Sequence, residues 1–407
     1  MLASIAVRAS SRQAFGDIVA RMLDRPRTGL ATLTLTLAIP LALASGCADE
    51  PGLDDEAGTS ESESSGATGT SGSESSGASE TSLSDSEGSE SETGEPPPML
   101  PLCGSEPPEG ATLAPPLPSA TSSCPVLETD GTLNVMSTSA GDREFMVVVP
   151  SDYEAGEQLP LIVMYHWLGG DAIDFYERAE AQVAADYYRF IALVPVGRDG
   201  DSGVPFRWPF SIADDMMRMD EEFEFFDDMV ACAHEQFGVD KECVSTMGVS
   251  AGAMFSAMLA SRHGDNLSSF ISLSGGTGGG LIQEWIPNQN HMPALVLWGG
   301  PQDICLSIEF DLNSMNMEAA LAADNHFMVE CIHNCEHSTP PFEPVDPALP
   351  TYAPMWEFFL DHPYWLDDGD SPYAQFDVMP SPFPEWCAYG AGNAVERVGE
   401  CGGSECQ

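Results

Sequence analysis

The sequence has 407 residues and is strongly acidic, with 64 Asp and Glu side chains against 14 Lys and Arg and a formal net charge of −50. We therefore expect no nucleic-acid partner, because phosphate contacts need basic side chains. The same charge disfavours a polyanionic substrate and electrostatic adhesion to acidic lipid. The excess is not confined to one region, since residues 100–407 carry 48 acidic and 9 basic side chains, a net of −39. We interpret it as a solubility feature.

The N-terminus predicts an exported protein. Five arginines precede an apolar run over residues 30–44, which ends in Ala44-Ser45-Gly46-Cys47. A basic segment, a short apolar run and small residues before a cleavage point are typical of a secretory signal. A transmembrane anchor is the alternative, but the run is shorter than the roughly 20 apolar residues that a span needs.

The cysteine that follows the small residues resembles a bacterial lipobox. We therefore predict that residues 1–47 are a signal peptide and that Cys47 becomes the lipid-modified first residue of the mature protein. The protein is then lipid-anchored at a bacterial cell envelope or surface, or extracellular, and the lipid is its only contact with a membrane. Residues 48–98 are rich in Ser, Gly, Glu and Thr and predict a disordered linker, because they cannot bury enough apolar surface to fold.

Residues 99–407 suit one α/β domain, which we expect to be monomeric. Apolar runs alternate with helical patterns there, as in a mostly parallel sheet with crossover helices. Strands are predicted over residues 143–149, 161–165, 190–196, 243–247, 270–273, 294–298 and, last, 327–332; helices over 222–237, 253–262 and 355–360. Beyond residue 361 the chain is rich in Pro, Gly, Asp and Cys, and we predict a cysteine-rich extension that wraps the surface.

The pentapeptide Gly248-Val249-Ser250-Ala251-Gly252 lies between a predicted strand and a predicted helix. This context is that of a nucleophile elbow, a strained turn that lifts a serine hydroxyl clear of the sheet. Ser250 is the predicted nucleophile, and the N–H of Ala251, at the helix start, would face an oxyanion. The sequence therefore predicts a disulfide-stabilised α/β-hydrolase fold with helices flanking the sheet.

A serine nucleophile needs an acid and a base, which follow it in chain order in this fold. Asp303, in the loop after the strand at residues 294–298, is the predicted acid, with Glu309 and Asp311 further along the chain. His337, in the loop after residues 327–332, is the predicted base, and His333 is the alternative.

A second oxyanion-hole N–H is expected after the strand at residues 161–165. We assign it to Trp167 or Leu168, in a loop made flexible by Gly169 and Gly170. The glycine-rich run at residues 275–280 lacks the Lys-Ser/Thr of a phosphate loop, and we expect it to shape the pocket rim. Candidate pocket aromatics are Trp167, Phe206 and Trp208.

Ten cysteines remain besides Cys47, and an even set in an exported chain favours disulfides. Expected local pairs are Cys103–Cys124, Cys232–Cys243 and Cys401–Cys406. A pair of Cys305 with Cys335 or Cys331 would tie together the loops of the predicted acid and base. Cys331, His333, Cys335 and His337 alternate as metal ligands could, but we favour oxidation of the thiols and predict no metal.

The chain resembles the polyhydroxybutyrate depolymerase and feruloyl or acetylxylan esterase group of exported α/β-hydrolases. Matching segments span residues 141–362 and include His166 with Gly169-Gly170, Val239-Asp240 before the elbow, Asp303, His337 and Trp356-Glu357-Phe358-Phe359. The resemblance implies hydrolysis of an ester substrate through an acyl-enzyme, without a cofactor. The alternative is a non-catalytic surface binding protein on a degenerate scaffold, supported by Trp167 and Asn334-Cys335-Glu336 where the group usually has glycines.

Overall fold

The structure, a computed structural model, describes residues 100–198, 206–344, 346–366, 369–401 and 406. The predicted signal peptide, Cys47 and the predicted linker lie outside the described residues. Within the described ranges, no helix has the length and apolarity needed to cross a bilayer.

A nine-stranded sheet forms the centre of the domain. Its order is β1-β2-β4-β3-β5-β6-β7-β10-β11, for the strands β1 Leu133–Thr138, β2 Gly141–Val148, β3 Leu159–Tyr165, β4 Ile191–Pro195, β5 Val239–Val249, β6 Ser269–Leu273, β7 Ala294–Trp298, β10 Met328–Ile332 and β11 Cys387–Tyr389. The strands β4-β3-β5-β6-β7-β10 are parallel, and β1, β2 and β11 add antiparallel edges. A separate hairpin pairs β8 Ile304–Cys305 with β9 Ile308–Glu309.

Helices cover both faces of the sheet, which explains why its central strands are continuous apolar runs. The helices are α1 Ala172–Arg178, α2 Ala181–Tyr188, α3 Met216–Phe237, α4 Ala251–His263, α5 Phe310–Ala323 and α6 Ala353–Asp361. Successive side chains of β3 enter opposite cores: Leu161 and Val163 pack with α3, α4 and α5, whereas Ile162 and Met164 pack with α1, α2 and α6. The carboxyl ends of the parallel strands therefore lie at one edge of the sheet, between the two layers of helices, and the loops that follow the strands meet there.

The C-terminal extension differs from the prediction that residues 327–332 form the last strand. Cys387–Tyr389 pairs antiparallel with β10, and Cys331 lies directly opposite Cys387. A three-residue strand is too short to show an alternating pattern, so sequence reasoning missed it. It also missed β1, the β8–β9 hairpin, α1 and α2, and gave no range for α5.

All the predicted disulfide pairs were wrong. The structure pairs Cys103–Cys243, Cys124–Cys232, Cys305–Cys406, Cys331–Cys387 and Cys335–Cys401. Three of the predicted pairs joined sequence neighbours, but the N-terminal segment crosses two different elements: Cys103 reaches β5 and Cys124 reaches α3. The fourth joined the loops of the predicted acid and base directly, whereas Cys305 and Cys335 are each bonded to the C-terminal segment. The five disulfides among the described residues are typical of a protein that folds in an oxidising compartment, as extracellular and exported proteins do.

A buried pair of carboxyl groups gives the fold a predicted pH dependence. Glu318 on α5 and Glu330 on β10 are almost fully buried, and Trp298 Nε1 donates a 2.9 Å hydrogen bond to Glu318. Burial, and then the charge of Glu330, raises the pKa of Glu318 to about 8 from an ordinary 4.5. The folded state therefore holds a proton that the unfolded chain releases, and stability falls as the pH rises from about 4.5 to about 8.

We expect Glu318→Gln, which imitates the protonated carboxyl, to raise the free energy of unfolding by on the order of 2 kcal/mol at a pH of about 8. Near pH 4.5 it should change that free energy little. Chemical denaturation at both pH values measures the effect. Glu235→Gln, at an exposed site on α3, is the matched control. An equal gain from Glu318→Gln at both pH values would contradict the prediction.

Candidate active site

Ser250 occupies a sharp turn between β5 and α4. Its backbone angles are φ 56° and ψ −118°, which a non-glycine residue adopts only when its surroundings hold it there. The flanking glycines have no room for side chains. A Cβ on Gly248 would lie 2.2 Å from the carbonyl oxygen of Gly252, and one on Gly252 would lie 2.0 Å from that of Tyr165. The elbow therefore packs directly against the end of β3.

The structure brings Ser250, His337 and Asp303 into one hydrogen-bonded chain. Ser250 Oγ lies 2.9 Å from His337 Nε2, and His337 Nδ1 lies 2.6 Å from Asp303 Oδ1. The second carboxylate oxygen of Asp303 accepts a 2.8 Å hydrogen bond from the N–H of Gly299. Asp303 is fully buried, and its side chain contacts the imidazole directly. Such an arrangement can orient the ring and stabilise an imidazolium.

Tertiary structure positions the two partners of Ser250 from distant parts of the chain. Asp303 follows β7 and its short 3-10 turn, Gly300–Gln302, whereas His337 lies five residues after β10. Both strands run parallel to β5, so their carboxyl ends reach the same edge of the sheet. Phe310 stacks on the ring of His337 with centroids 4.2 Å apart and thereby restricts its tilt.

His333, the alternative base, does not reach Ser250. Its ring is fully buried, its Nδ1 accepts a 3.2 Å hydrogen bond from the N–H of Cys335, and it packs edge-on to Trp386. Burial lowers the pKa of His333 to about 4. This histidine directly follows β10 and its backbone N–H still bonds to Trp298, so its side chain remains in the core.

Neither of the other candidate acids accepts the hydrogen bond from His337. Glu309 is exposed at the end of β9, and Asp311 lies in the first turn of α5. The hydrogen bond to His337 comes from Asp303.

The loop after β3 is organised by a buried histidine. His166 Nδ1 donates to the carbonyl of Trp167 at 2.8 Å, and its Nε2 accepts from the N–H of Gly197 at 3.0 Å. Trp208 Nε1 donates to the carbonyl of His166 at 2.8 Å. Burial lowers the pKa of His166, which keeps its ring neutral as this pattern requires.

Trp167, Leu168 and Ala251 all line the cavity that opens at Ser250. The N–H of Ala251 begins α4 and has no partner within its own helix, because the first four N–H groups of a helix cannot have one. The three residues predicted for an oxyanion hole therefore line the same cavity as Ser250. The choice between the N–H groups of Trp167 and Leu168 stays a prediction.

The cavity has a volume of about 620 Å³ and mostly apolar walls. Of the three candidate aromatics, Trp167 and Phe206 line it, whereas Trp208 belongs to the core beneath. Arg178 is the one Lys or Arg among the described lining residues, which include no Asp or Glu. Sequence reasoning missed Arg178 and the lining disulfide Cys305–Cys406, because nothing near them in the sequence marks a pocket.

The glycine-rich run at residues 275–280 packs helices rather than the pocket rim. A Cβ on Gly275 would lie 2.5 Å from that of Ala253 in α4, and one on Gly276 would lie 2.1 Å from the backbone of Asn313 in α5. The neighbouring residue Ser274 is the one that lines the cavity.

Among the described residues, no three His, Cys, Asp or Glu side chains cluster as a metal site would require. The candidate ligands Cys331 and Cys335 are both in disulfides, so neither offers a thiolate.

Comparison with known proteins gave matches only among solved structures: no family model and no curated protein matched. A complex of a serine-to-cysteine variant of pOPH with DMSO has a TM-score of 0.55 and 14% identity, covering 69% of this chain and 99% of that one. Native sOPH has a TM-score of 0.50 and 15% identity, covering 67% and 98%. A ferulic acid esterase has a TM-score of 0.40 and 12% identity, covering 51% and 90%.

At such identities the likeness to pOPH and sOPH concerns the fold. The observed strand order, the parallel centre, the helices on both faces and the elbow after β5 are the features of one fold class. The protein thus has a disulfide-stabilised α/β-hydrolase fold.

Proposed function

We propose that the protein is a serine esterase that hydrolyses carboxylic esters through an acyl-enzyme. The observation that carries this proposal is the hydrogen-bonded chain from Ser250 through His337 to buried Asp303, at the mouth of an apolar cavity. Acyl transfer needs a serine hydroxyl, a base that takes its proton and a carboxylate that orients the base. Ser250, His337 and Asp303 supply these three groups in one hydrogen-bonded chain.

In the first half of the reaction, Ser250 Oγ attacks the ester carbonyl carbon while His337 Nε2 takes the hydroxyl proton. The negative charge on the carbonyl oxygen would be met by the N–H of Ala251 and by that of Trp167 or Leu168. His337 then gives its proton to the leaving alcohol as the C–O bond breaks. In the second half, His337 removes a proton from water, and the water oxygen attacks the acyl carbon. The bond from that carbon to Ser250 Oγ then breaks, His337 returns its proton to Oγ, and the acid is released.

The resemblance and the apolar cavity favour two classes of substrate, namely polyhydroxyalkanoate esters and feruloyl or acetyl esters of plant polysaccharide. We expect no cofactor, since a serine nucleophile with its base suffices for ester hydrolysis. We further propose that Cys47 carries the lipid that tethers the exported, monomeric enzyme, with residues 48–98 as its stalk.

A fluorophosphonate probe tests the nucleophile. We expect stoichiometric labelling of the wild type and no labelling of Ser250→Ala, because only a serine activated by a base attacks the probe. Ser338→Ala is the matched control. Ser338 also lines the cavity, but the hydroxyl hydrogen-bonded to His337 Nε2 is that of Ser250. A folded wild type that neither reacts with the probe nor cleaves esters would favour the alternative of a binding protein.

A substrate panel then separates the ester classes. It should contain hydroxybutyrate oligomers, methyl ferulate, acetylated xylan and p-nitrophenyl esters of graded acyl length. Initial rates on each, with Ser250→Ala as the blank, identify the class that the cavity accepts.

A further inference from the structure

The C-terminal segment is covalently joined to both loops that hold the partners of Ser250. Cys305 lies two residues after Asp303 and is bonded to Cys406. Cys335 lies two residues before His337 and is bonded to Cys401. The acid loop and the base loop are therefore each anchored to the last seven residues of the chain.

Each of these disulfides adjoins backbone in the left-handed region. Glu336, between Cys335 and His337, has φ 58°, and Leu306 and Ser307, directly after Cys305, have φ 48° and 66°. Non-glycine residues persist in that region only where neighbouring structure holds them. The N–H of Glu336 donates to the carbonyl of Gly299 at 3.1 Å, and the disulfide holds the preceding residue, Cys335. The orientation of the His337 side chain therefore depends on Glu336, whose strained backbone must be held in place by neighbouring structure.

The segment before Cys401 lies along the base loop. The N–H of Arg397 donates to the carbonyl of Ile332 at 2.9 Å, and its Nη1 donates to Asn334 Oδ1 at 3.0 Å. Asn334 Nδ2 in turn donates to the carbonyl of Gly399 at 2.7 Å. These polar contacts are partly exposed and weak, so the disulfide is the strongest link between the two segments.

From these contacts we infer that the Cys335–Cys401 disulfide is a positioning device for His337, which holds Nε2 of that ring within reach of Ser250 Oγ. The inference rests on the proposed esterase function. Without the cross-link, Glu336 relaxes toward an ordinary backbone conformation and Nε2 of His337 moves away from Ser250. A displacement of about 1 Å can cost on the order of 100-fold in rate.

The test compares Cys335→Ala/Cys401→Ala with Cys124→Ala/Cys232→Ala, which removes a disulfide between the N-terminal segment and α3. Each is assayed on a neutral p-nitrophenyl ester well below its own melting temperature. We expect the first variant to lose 10- to 100-fold in kcat with KM changed less than about threefold, and the second to stay near the wild type. A kcat within twofold of the wild type, or equal losses in both variants, would overturn the inference.

A rescue variant ties the effect to the backbone of Glu336. Glycine adopts a φ of 58° without strain. Adding Glu336→Gly to Cys335→Ala/Cys401→Ala should therefore raise kcat at least threefold above that of the double variant. If kcat did not recover, the backbone conformation of Glu336 would not explain the loss of activity. If the wild type itself does not cleave the ester, the proposed function fails rather than this inference.

A second and independent observation concerns the charge of the cavity. In a domain with 48 acidic and 9 basic side chains, the described lining residues include no Asp or Glu, and Arg178 is the one cation among them. Its guanidinium carbon lies 5.0 Å from the ring centroid of Trp167, which belongs to the loop beside Ser250. A positive group thus lies on the wall of the cavity that Ser250 also lines, in a protein that is otherwise strongly acidic.

The geometry points to esters that carry a free carboxylate, held by Arg178, as preferred substrates of the proposed esterase. Short oligomers of hydroxy acids end in such a carboxylate, whereas methyl ferulate and acetylated xylan have none. A guanidinium recognises a carboxylate through paired N–H donors, and this contact is strengthened near an apolar wall.

Hydroxybutyrate dimer acid and its methyl ester form the matched substrate pair, and p-nitrophenyl butyrate is the neutral reference. We expect Arg178→Gln to lower kcat/KM about 10-fold more for the acid than for either neutral ester. The control is Arg189→Gln, since Arg189 is paired with Asp152 and Glu157 outside the cavity. Equal losses on all three substrates, or no loss on the acid, would overturn the assignment. Absence of all three activities in the wild type would instead refute the esterase.

Discussion

Replacing His337 with alanine is expected to lower kcat for ester hydrolysis by about 10⁴- to 10⁶-fold. Nε2 of His337 is the group placed 2.9 Å from Ser250 Oγ, and without it nothing accepts the hydroxyl proton during attack. The buried carboxylate of Asp303 would also lose its partner. Steady-state kinetics on a p-nitrophenyl ester, with circular dichroism to verify folding, measures the effect.

His333→Asn is the matched control for this prediction, because the two histidines are four residues apart in the same loop. An asparagine oxygen can accept the hydrogen bond that His333 Nδ1 takes from the N–H of Cys335. We expect this variant to be less stable, because it leaves a gap in the core, yet to keep kcat within about 10-fold. The opposite ranking of the two variants would mean that His333 is the base.

Replacing Gly252 with alanine is expected to destabilise the fold by about 3–5 kcal/mol, enough to remove most soluble protein. The added methyl would lie 2.0 Å from the carbonyl oxygen of Tyr165 and 2.6 Å from that of His166. Both contacts are with backbone, so the clash cannot be relieved by rotating a side chain. The end of β3 must move, and the loop at residues 166–170 moves with it.

Chemical denaturation of whatever protein is recovered measures the loss. Gly131→Ala is the comparison, because a Cβ there meets nothing within 4 Å and only the positive φ of 87° is strained. That variant should cost about 1–2 kcal/mol. If Gly252→Ala were no worse than Gly131→Ala, close packing of the elbow against β3 would be refuted.

The central strands and the elbow were predictable because their signals are local. Residues 161–165 and 294–298 are continuous apolar runs, and the structure places β3 and β7 there with small changes at the ends. The same holds for Ser250, whose flanking glycines and neighbouring strand and helix all lie within a few residues. The order of acid and base along the chain made Asp303 and His337 reasonable candidates.

The pairing of cysteines was not predictable in this way. Cys103 and Cys243 are 140 positions apart, and nothing in the residues around either one records the path of the N-terminal segment past β5. For the same reason the sequence could not show that Trp208, a candidate pocket aromatic, lies in the core. The distinction between His333 and His337 depended on where β10 ends and which way each ring turns.

The amino-acid sequence by itself determined the α/β class, the elbow at Ser250 and the two loops from which an acid and a base come, because these depend on interactions between near neighbours. Tertiary structure alone decided which histidine reaches Ser250, that Arg178 lines the cavity, and that the C-terminal segment is bonded to both loops. Those features depend on which strands lie side by side and on side-chain direction within about 1 Å, and a one-dimensional pattern carries no such information.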